Sequence, residues 1–268
     1  MTGVDTLKTA DWLLGFDFDG TLADVTAGHT VSSEFFSVLS RIKSERELAW
    51  GICTGRSLEH LIEGMEQAEF PYHPDFIVSQ ERDIYYRIAS TPVYEPDKNR
   101  NVEAHESLHK LLRENSRTIT KIQRFIKEKT KAEWVSIPGD PAGMIASHIN
   151  EVDAVVKVYE NCREKSDLLE YQRSTIYLRF SHQSYCKGSA IQYLQTKFNL
   201  SHDKTLVMGD NYNDITMLNP KIAKYFGSPA NAVSLLKETL HARGGFITDT
   251  SYSTGVIEAL NRLFPSWL

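Results

Sequence analysis

Two aspartates two residues apart, Asp17 and Asp19, follow a short apolar run, Leu13-Leu14-Gly15-Phe16. Carboxylates at that spacing, just beyond a buried strand, can approach one ligand together, and Gly20 permits the tight turn this needs. The pair suits phosphoryl chemistry. One carboxylate can attack phosphorus while the other protonates the leaving oxygen. An Asx-turn closing a strand is the plainer use of the same residues. Three further stretches have the same character. Thr54-Gly55-Arg56 follows a second apolar run, and a hydroxyl with free N–H groups near a helix start suits a phosphate, or simply caps the helix. Lys187-Gly188-Ser189-Ala190 opens a helical pattern. A cation there opposes the helix macrodipole and calls for an anion nearby, unless the lysine is an exposed first-turn residue. Gly209-Asp210-Asn211-Tyr212-Asn213-Asp214 sets two more carboxylates after an apolar run, where a polar loop with an N-capping aspartate is the alternative.

Charge links the four. If Asp17, Asp19, Asp210 and Asp214 converge, they repel one another and each raises the others' pKa. Lys187 supplies one compensating cation and a divalent metal would supply the rest. Oxygen-only donors with few protein ligands fit Mg²⁺, which would also neutralise a phosphate enough for a carboxylate to attack it.

The elements that must position these residues alternate. Strands are expected at 13–16, 49–53 and 76–78, with helices at 32–45 and 57–68 between them. The rhythm returns with a helix at 187–198, a strand at 205–208, a helix at 214–218, a strand at 223–226 and a helix at 230–242. A last strand is expected at 245–247 and a last helix at 255–264. Such alternation predicts a parallel sheet with ligands outside the carboxyl ends of its strands. Between 85 and 185 the pattern changes. Helices are expected at 102–115, 118–130 and 152–165, and half-buried strands at 134–137, 144–149 and 175–180. The fold class is therefore α/β: a Rossmann-like parallel-sheet core, residues 1–84 and 186–268, with an inserted α+β domain over 85–185.

Taken in order, the four motifs resemble those of the haloacid dehalogenase superfamily of phosphatases, over about two-thirds of the chain. The insert, between the second and third motifs, resembles the type IIB cap of Cof-type hydrolases and sucrose-phosphate phosphatases. The ending around Gly255-Val256-Ile257-Glu258 resembles that of the sucrose-phosphate phosphatases. The resemblance implies that Asp17 is the nucleophile that forms an aspartyl-phosphate, and that Asp19 is general acid and then base. It implies Mg²⁺ held by the Asp17 side chain, the Asp19 backbone carbonyl and the Asp210 side chain, with Asp214 supporting the metal shell or orienting Lys187. Thr54, the Gly55 backbone, Lys187 and Asn213 would hold the phosphoryl oxygens. One loop departs from the family pattern. Where an Asn-Gly-Ala or Gly-Thr-Glu sequence is usual, this chain has Ser79-Gln80-Glu81-Arg82-Asp83, so the leaving group is open. Arg82 is expected in a surface salt bridge, with an anionic substrate group as the alternative.

The remaining composition is that of an ordinary globular chain. It has 268 residues, 41% hydrophobic and 24% charged, with a net charge of -5 that argues against a general nucleic-acid binder. No signal peptide or membrane span is evident, and Cys53, Cys162 and Cys186 have neither zinc nor disulfide spacing, so a cytoplasmic setting is expected. His29, His148 and His182 form no useful metal-binding pair. Trp50 and Trp134 read as packing residues. The expected substrate is a small phosphate ester, a sugar phosphate first, with no nucleic acid, membrane or obligatory protein partner. A phosphotransferase or phosphomutase on the same core is one rival, and a non-catalytic sugar-phosphate sensor is another.

Overall fold

The computed structural model describes residues 1–89, 91–137, 140–163 and 168–265. In chain order its elements are α1 (Gly3–Thr9), β1 (Trp12–Phe16), α2 (Ser33–Glu45), β2 (Leu48–Cys53), α3 (Leu58–Gln67), β3 (Phe76–Ser79), β4 (Asp83–Arg87) and β5 (Tyr94–Pro96). There follow α4 (Lys98–Glu114), α5 (Ser116–Lys129), β6 (Glu133–Ile137), β7 (Asp140–Ile145), α6 (Ile149–Cys162), β8 (Leu169–Ser174) and β9 (Tyr177–His182). The chain ends with α7 (Lys187–Phe198), β10 (Thr205–Met208), β11 (Tyr225–Ser228), α8 (Ser234–Arg243), β12 (Phe246–Ile247) and α9 (Tyr252–Leu263). Short 3₁₀ turns cover His202–Lys204 and Tyr212–Asp214.

The chain divides into two compact units, Met1–Asp97 with Lys187–Leu268, and Lys98–Cys186. The first holds an eight-stranded sheet in the order β12-β11-β10-β1-β2-β3-β4-β5. Strands β12 to β3 run parallel, and β4 and β5 are antiparallel additions. Central strands are apolar on both faces. Leu14, Phe16, Trp50 and Ile52 join a core with Phe35 and Leu39 of α2 and Leu260 of α9. Leu13, Ala49, Cys53 and Val207 point into a second core with Ile191 and Leu194 of α7 and Leu236 of α8. A sheet covered on both faces needs such unbroken apolar strands, which is why they are readable as short runs. Side-chain caps fix the helix starts next to the site: Ser32 accepts from the Glu34 N–H and Ser57 from the His60 N–H.

The expected parallel sheet is present, with local differences. The first unit runs past residue 84 to Asp97, because β4 hydrogen-bonds onto β3 and β5 onto β4 instead of starting the insert. The stretch expected as a helix at 214–218 is a 3₁₀ turn at Tyr212–Asp214 followed by further turns. There Asp214 turns its carboxylate back onto the N–H groups of Asp210 and Asn211, which closes the turn tightly. Helix α8 starts at Ser234, later than 230.

The second unit is a four-stranded antiparallel sheet, β6-β7-β9-β8, with α5 and α6 packed on it through Ile122, Ile126, Val152, Val155 and Tyr159. The strand expected at 175–180 is the second arm of a hairpin. Thr175 takes a positive φ of 50° in the turn, so pairing begins at Tyr177, and polar β8 forms the other arm. The end of the helix expected at 152–165 falls partly outside the described residues; α6 itself closes at Cys162. Among the described residues, no helix is long and apolar enough to cross a membrane.

Candidate active site

Strands β1 and β10 lie side by side, with Phe16 opposite Met208. Chain order reverses here: β2 and β3 lie on one side, β11 and β12 on the other. Loops leaving adjacent strands at such a point part in opposite directions and open a crevice at the carboxyl ends. Asp17 is the first residue beyond β1, pinned by its N–H to the Met208 carbonyl at 2.9 Å. Asp210 lies two residues beyond β10. Carboxylate oxygens of Asp17, Asp210 and Asp214 all lie within 4.8 Å of one another.

Lys187, the first residue of α7, is fully buried. Its Nζ donates to Asp17 Oδ1 at 2.8 Å and to Asp214 Oδ1 at 2.7 Å. These two carboxylates offset the unfavourable position of a cation at a helix start. Asp214 spends its other oxygen on the backbone: Oδ2 accepts from the N–H groups of Asp210 at 2.9 Å and Asn211 at 3.0 Å. It therefore fixes the Asp210 loop and Lys187 at once. Asp210 Oδ1 accepts from the Thr21 hydroxyl at 2.9 Å, which ties the loop after β10 to the loop after β1. Gly20 makes that approach possible. It has a φ of 87°, and a Cβ there would lie 2.4 Å from Asp210 Oδ2.

Burial raises the Asp17 pKa well above the ordinary carboxylate value. Lys187 opposes the shift, while Asp214 and Asp210 add to it. Asp210 is pushed up to about 7, by burial first and then by Asp214. Burial works against the Lys187 charge, but Asp17, Asp214 and Glu81 outweigh it and hold the ammonium well above its usual pKa. Three buried carboxylates thus share one cation. An all-oxygen set with surplus negative charge, tight enough for one small ion, fits Mg²⁺. Asp17 and Asp210 are the carboxylates suited to hold it, since Asp214 already has partners on both oxygens.

Asp19 is placed differently. Its carboxylate is gripped by Arg56, with Nε to Oδ2 at 2.7 Å and Nη2 to Oδ1 at 2.6 Å, and His29 Nε2 lies 3.4 Å from Oδ1. Its side chain is 35% exposed, against 7% for Asp17. Thr54 is buried, and its hydroxyl accepts from the Arg56 N–H at 3.1 Å. Asn213 Nδ2 donates to Glu81 Oε1 at 2.9 Å, and that same oxygen lies 3.2 Å from where a Gly55 Cβ would stand. Glu81 therefore joins two of the residues expected to hold phosphate.

The structure thus brings Asp17, Lys187, Asp210 and Asp214 to one point and gathers Gly55 and Asn213 around Glu81. The Asp19 carboxylate stands in an ion pair of its own. Thr21, Glu81 and the Arg56–Asp19 pair had no assigned part in the sequence reading. Thr21 and Arg56 sit inside the quoted motifs, but only the folded chain gives them partners. Arg82 differs from expectation. It is no surface residue but 2% exposed, with Nε 3.6 Å from buried Asp83 Oδ1 and Nη2 donating to Gln80 Oε1 at 3.2 Å.

Known proteins share this architecture. Kanosamine-6-phosphate phosphatase of Bacillus subtilis is 22% identical over 286 aligned positions, covering 98% of this chain and 96% of that protein. A sucrose-phosphatase from Synechocystis, solved with sucrose and phosphate, superposes with a TM-score of 0.71 at 17% identity, covering 94% and 98% of the two chains. A haloacid dehalogenase-like hydrolase from Bacillus subtilis gives a TM-score of 0.64 at 20% identity, covering 97% and 94%. The sequence model of the haloacid dehalogenase-like hydrolases matches residues 70–260, a span that takes in Lys187, Asp210 and Asp214. By that match, and with a core sheet and inserted α+β unit of the type IIB kind, this chain belongs to the haloacid dehalogenase-like hydrolases.

Proposed function

We propose that the chain is a Mg²⁺-dependent phosphatase that hydrolyses a small phosphate monoester, a sugar phosphate, through an aspartyl-phosphate on Asp17. The observation that carries this reading is the buried meeting of Asp17, Asp210 and Asp214 at Lys187. Asp17 and Asp210 would hold the metal, with the Asp19 carbonyl as the further protein ligand the family resemblance implies. Bound there, Mg²⁺ would offset the carboxylates and draw charge from the phosphoryl oxygens.

The protein groups divide the work. Lys187 fixes one Asp17 oxygen and so orients the carboxylate. An Asp17 oxygen attacks phosphorus while the bond to the ester oxygen breaks. Asp19 gives its proton to that oxygen, and the alcohol leaves neutral. Asp19, now ionised, takes a proton from water, whose oxygen attacks phosphorus and breaks the link to Asp17. Free phosphate and the starting Asp17 result. For this, Asp19, a carboxylate paired with Arg56, must release Arg56 and take up a proton from solvent before it meets the ester oxygen. Both side chains are partly exposed, so the exchange needs little desolvation. Thr54, the Gly55 backbone, Lys187 and Asn213 are the proposed phosphoryl contacts, and they count most where charge shifts during transfer.

A sugar phosphate is favoured by the relatives, one named for kanosamine 6-phosphate and one solved with sucrose and phosphate. The Lys98–Cys186 unit is read as the cap that chooses the leaving group. Three free cysteines suit the reducing cytoplasm as the working compartment. The test is a phosphate-release screen with Mg²⁺ across phosphorylated sugars, glycerates and nucleotides, run in isotopically labelled water. Release of phosphate carrying one solvent oxygen, fastest from a sugar phosphate, is expected. Phosphoryl passage to a second hydroxyl without solvent oxygen would make it a phosphotransferase, and binding without release a sensor.

A further inference from the structure

The loop after β11 bonds to both acidic loops, and the mechanism gives it no part. Its Asn231 side chain is half-buried and uses both ends of its amide. Nδ2 donates to the Gly20 carbonyl at 2.7 Å, and Oδ1 accepts from the Tyr252 N–H at 2.9 Å. The amide can face only one way, since a carbonyl needs a donor and an N–H an acceptor. Both partners have left-handed backbone, with φ of 87° at Gly20 and 53° at Tyr252. A tyrosine rarely adopts that conformation. Tyr252 also opens α9, whose N-cap Ser251 makes no side-chain bond to the helix, so Asn231 supplies the partner for the first helical N–H. Two residues on, the Val233 N–H donates to the Asp210 carbonyl at 3.0 Å. One short loop thus holds the turn after Asp19 and the loop that carries Asp210.

We propose that Asn231 is a positioning residue for the acidic cluster: through the Gly20 carbonyl it sets the turn that carries Asp19, Gly20 and Thr21 against Asp210. This rests on the phosphatase reading. The line of contact is short. The Gly20 carbonyl belongs to the peptide that leads into Thr21, whose hydroxyl donates to Asp210 Oδ1 at 2.9 Å. Gly20 itself lies so close to Asp210 that a Cβ would stand 2.4 Å from Oδ2. Rotation of that peptide would therefore displace the Thr21 hydroxyl and the surface on which the Asp210 carboxylate rests. Asn231 opposes the rotation with a neutral bond, which adds no charge where three buried carboxylates already share one lysine. Outer groups that orient a metal-binding side chain are worth roughly 10–100-fold in metal affinity or activity.

The test compares the wild type with Asn231→Leu and Asn231→Ala, which both lose the two bonds without a change of charge, and with Glu258→Gln. Glu258 accepts from the Asp249 N–H at 3.0 Å and the Thr250 N–H at 3.1 Å, so its variant loosens the segment next to Tyr252 and leaves the Asn231–Gly20 bond in place. Calorimetry measures Mg²⁺ binding, a phosphate-release assay gives kcat and KM, and amide hydrogen exchange of the metal-free protein reports on residues 17–23. Both Asn231 variants should bind Mg²⁺ about tenfold more weakly. They should lose about tenfold or more in kcat at saturating Mg²⁺ with KM nearly unchanged, and exchange residues 17–23 faster. Glu258→Gln should match the wild type in all three. Asn231→Leu fills most of the space and guards against a folding failure in Asn231→Ala. Wild-type Mg²⁺ affinity and kcat in Asn231→Leu, or equal losses in Glu258→Gln, overturn the proposal. If the wild type binds no Mg²⁺ and releases phosphate from no ester, the phosphatase reading fails instead. Exchange then decides alone whether Asn231 holds the turn, and an unchanged rate at residues 17–23 in Asn231→Leu sinks that too.

Discussion

The two sides of the site hold their charges in opposite ways. On the inner side Lys187, Asp17 and Asp214 have side chains 0–7% exposed and share short bonds that nothing else can replace. On the outer side Asp19, Arg56 and His29 are 24–36% exposed, and water can take over from any partner. A buried charge that loses its partner stays stranded, while an exposed one is resolvated. The inner group is thus fixed, as the proposed nucleophile and metal cradle require. The outer group can change partners, as the proposed proton donor, which must meet an incoming ester, requires.

The sharpest break in this comparison is Asp17→Asn, which should lower kcat by about 10⁴-fold or more while the fold survives, checked by steady-state phosphate release and circular dichroism. Lys187→Met comes next. It leaves two buried carboxylates without their cation, and should cost about 3–5 kcal/mol in denaturant unfolding. It should also slow turnover by about 10²–10³-fold.

Metal removal tests the inner side through pH. Asp17 and Asp210 have raised pKa values in the folded, metal-free protein, so the folded state holds protons that the unfolded chain has already released. Metal-free stability therefore falls as pH rises from about 4 towards the Asp210 value of about 7. Mg²⁺ should offset that loss, by about 2–3 kcal/mol at a hundredfold excess over its Kd. Thermal melts with Mg²⁺ and with EDTA should therefore separate widely at pH 8 and little at pH 5. Equal separation at both would contradict the assignment of Asp17 and Asp210 as ligands. The smallest effect belongs to the outer side. Arg56→Met should change stability by less than about 1 kcal/mol and alter the pH dependence of kcat more than its maximum, because it changes what Asp19 meets at rest.

How much of this could be read from the sequence follows the same division. The inner residues were legible because each stands at a fixed offset from an apolar run that could only be a buried strand, and because a lysine opening a helix asks for anions. The sheet fixed the rest by register, Phe16 against Met208 and Phe16 against Ile52. The outer pairing was not legible. Arg56 reaches Asp19 only through the turn after β2, and no spacing encodes that. Strands β4 and β5 were not expected at all: the insert was begun at residue 85, and nothing in the residues from Asp83 to Pro96 says that they extend the core sheet. The positive φ values at Gln80 and Glu81 were hidden for a related reason. Without glycine or asparagine, nothing in the residue types marks a left-handed turn.

The most direct measurement is rapid acid quench of wild-type protein mixed with Mg²⁺ and its best phosphate ester, followed by peptide mass analysis. The account requires a transient phosphoryl group on the peptide containing Asp17, formed and lost at rates compatible with kcat and absent from Asp17→Asn. Full turnover with no phosphorylated Asp17 peptide at any time, or with the phosphoryl group on another residue, would contradict it.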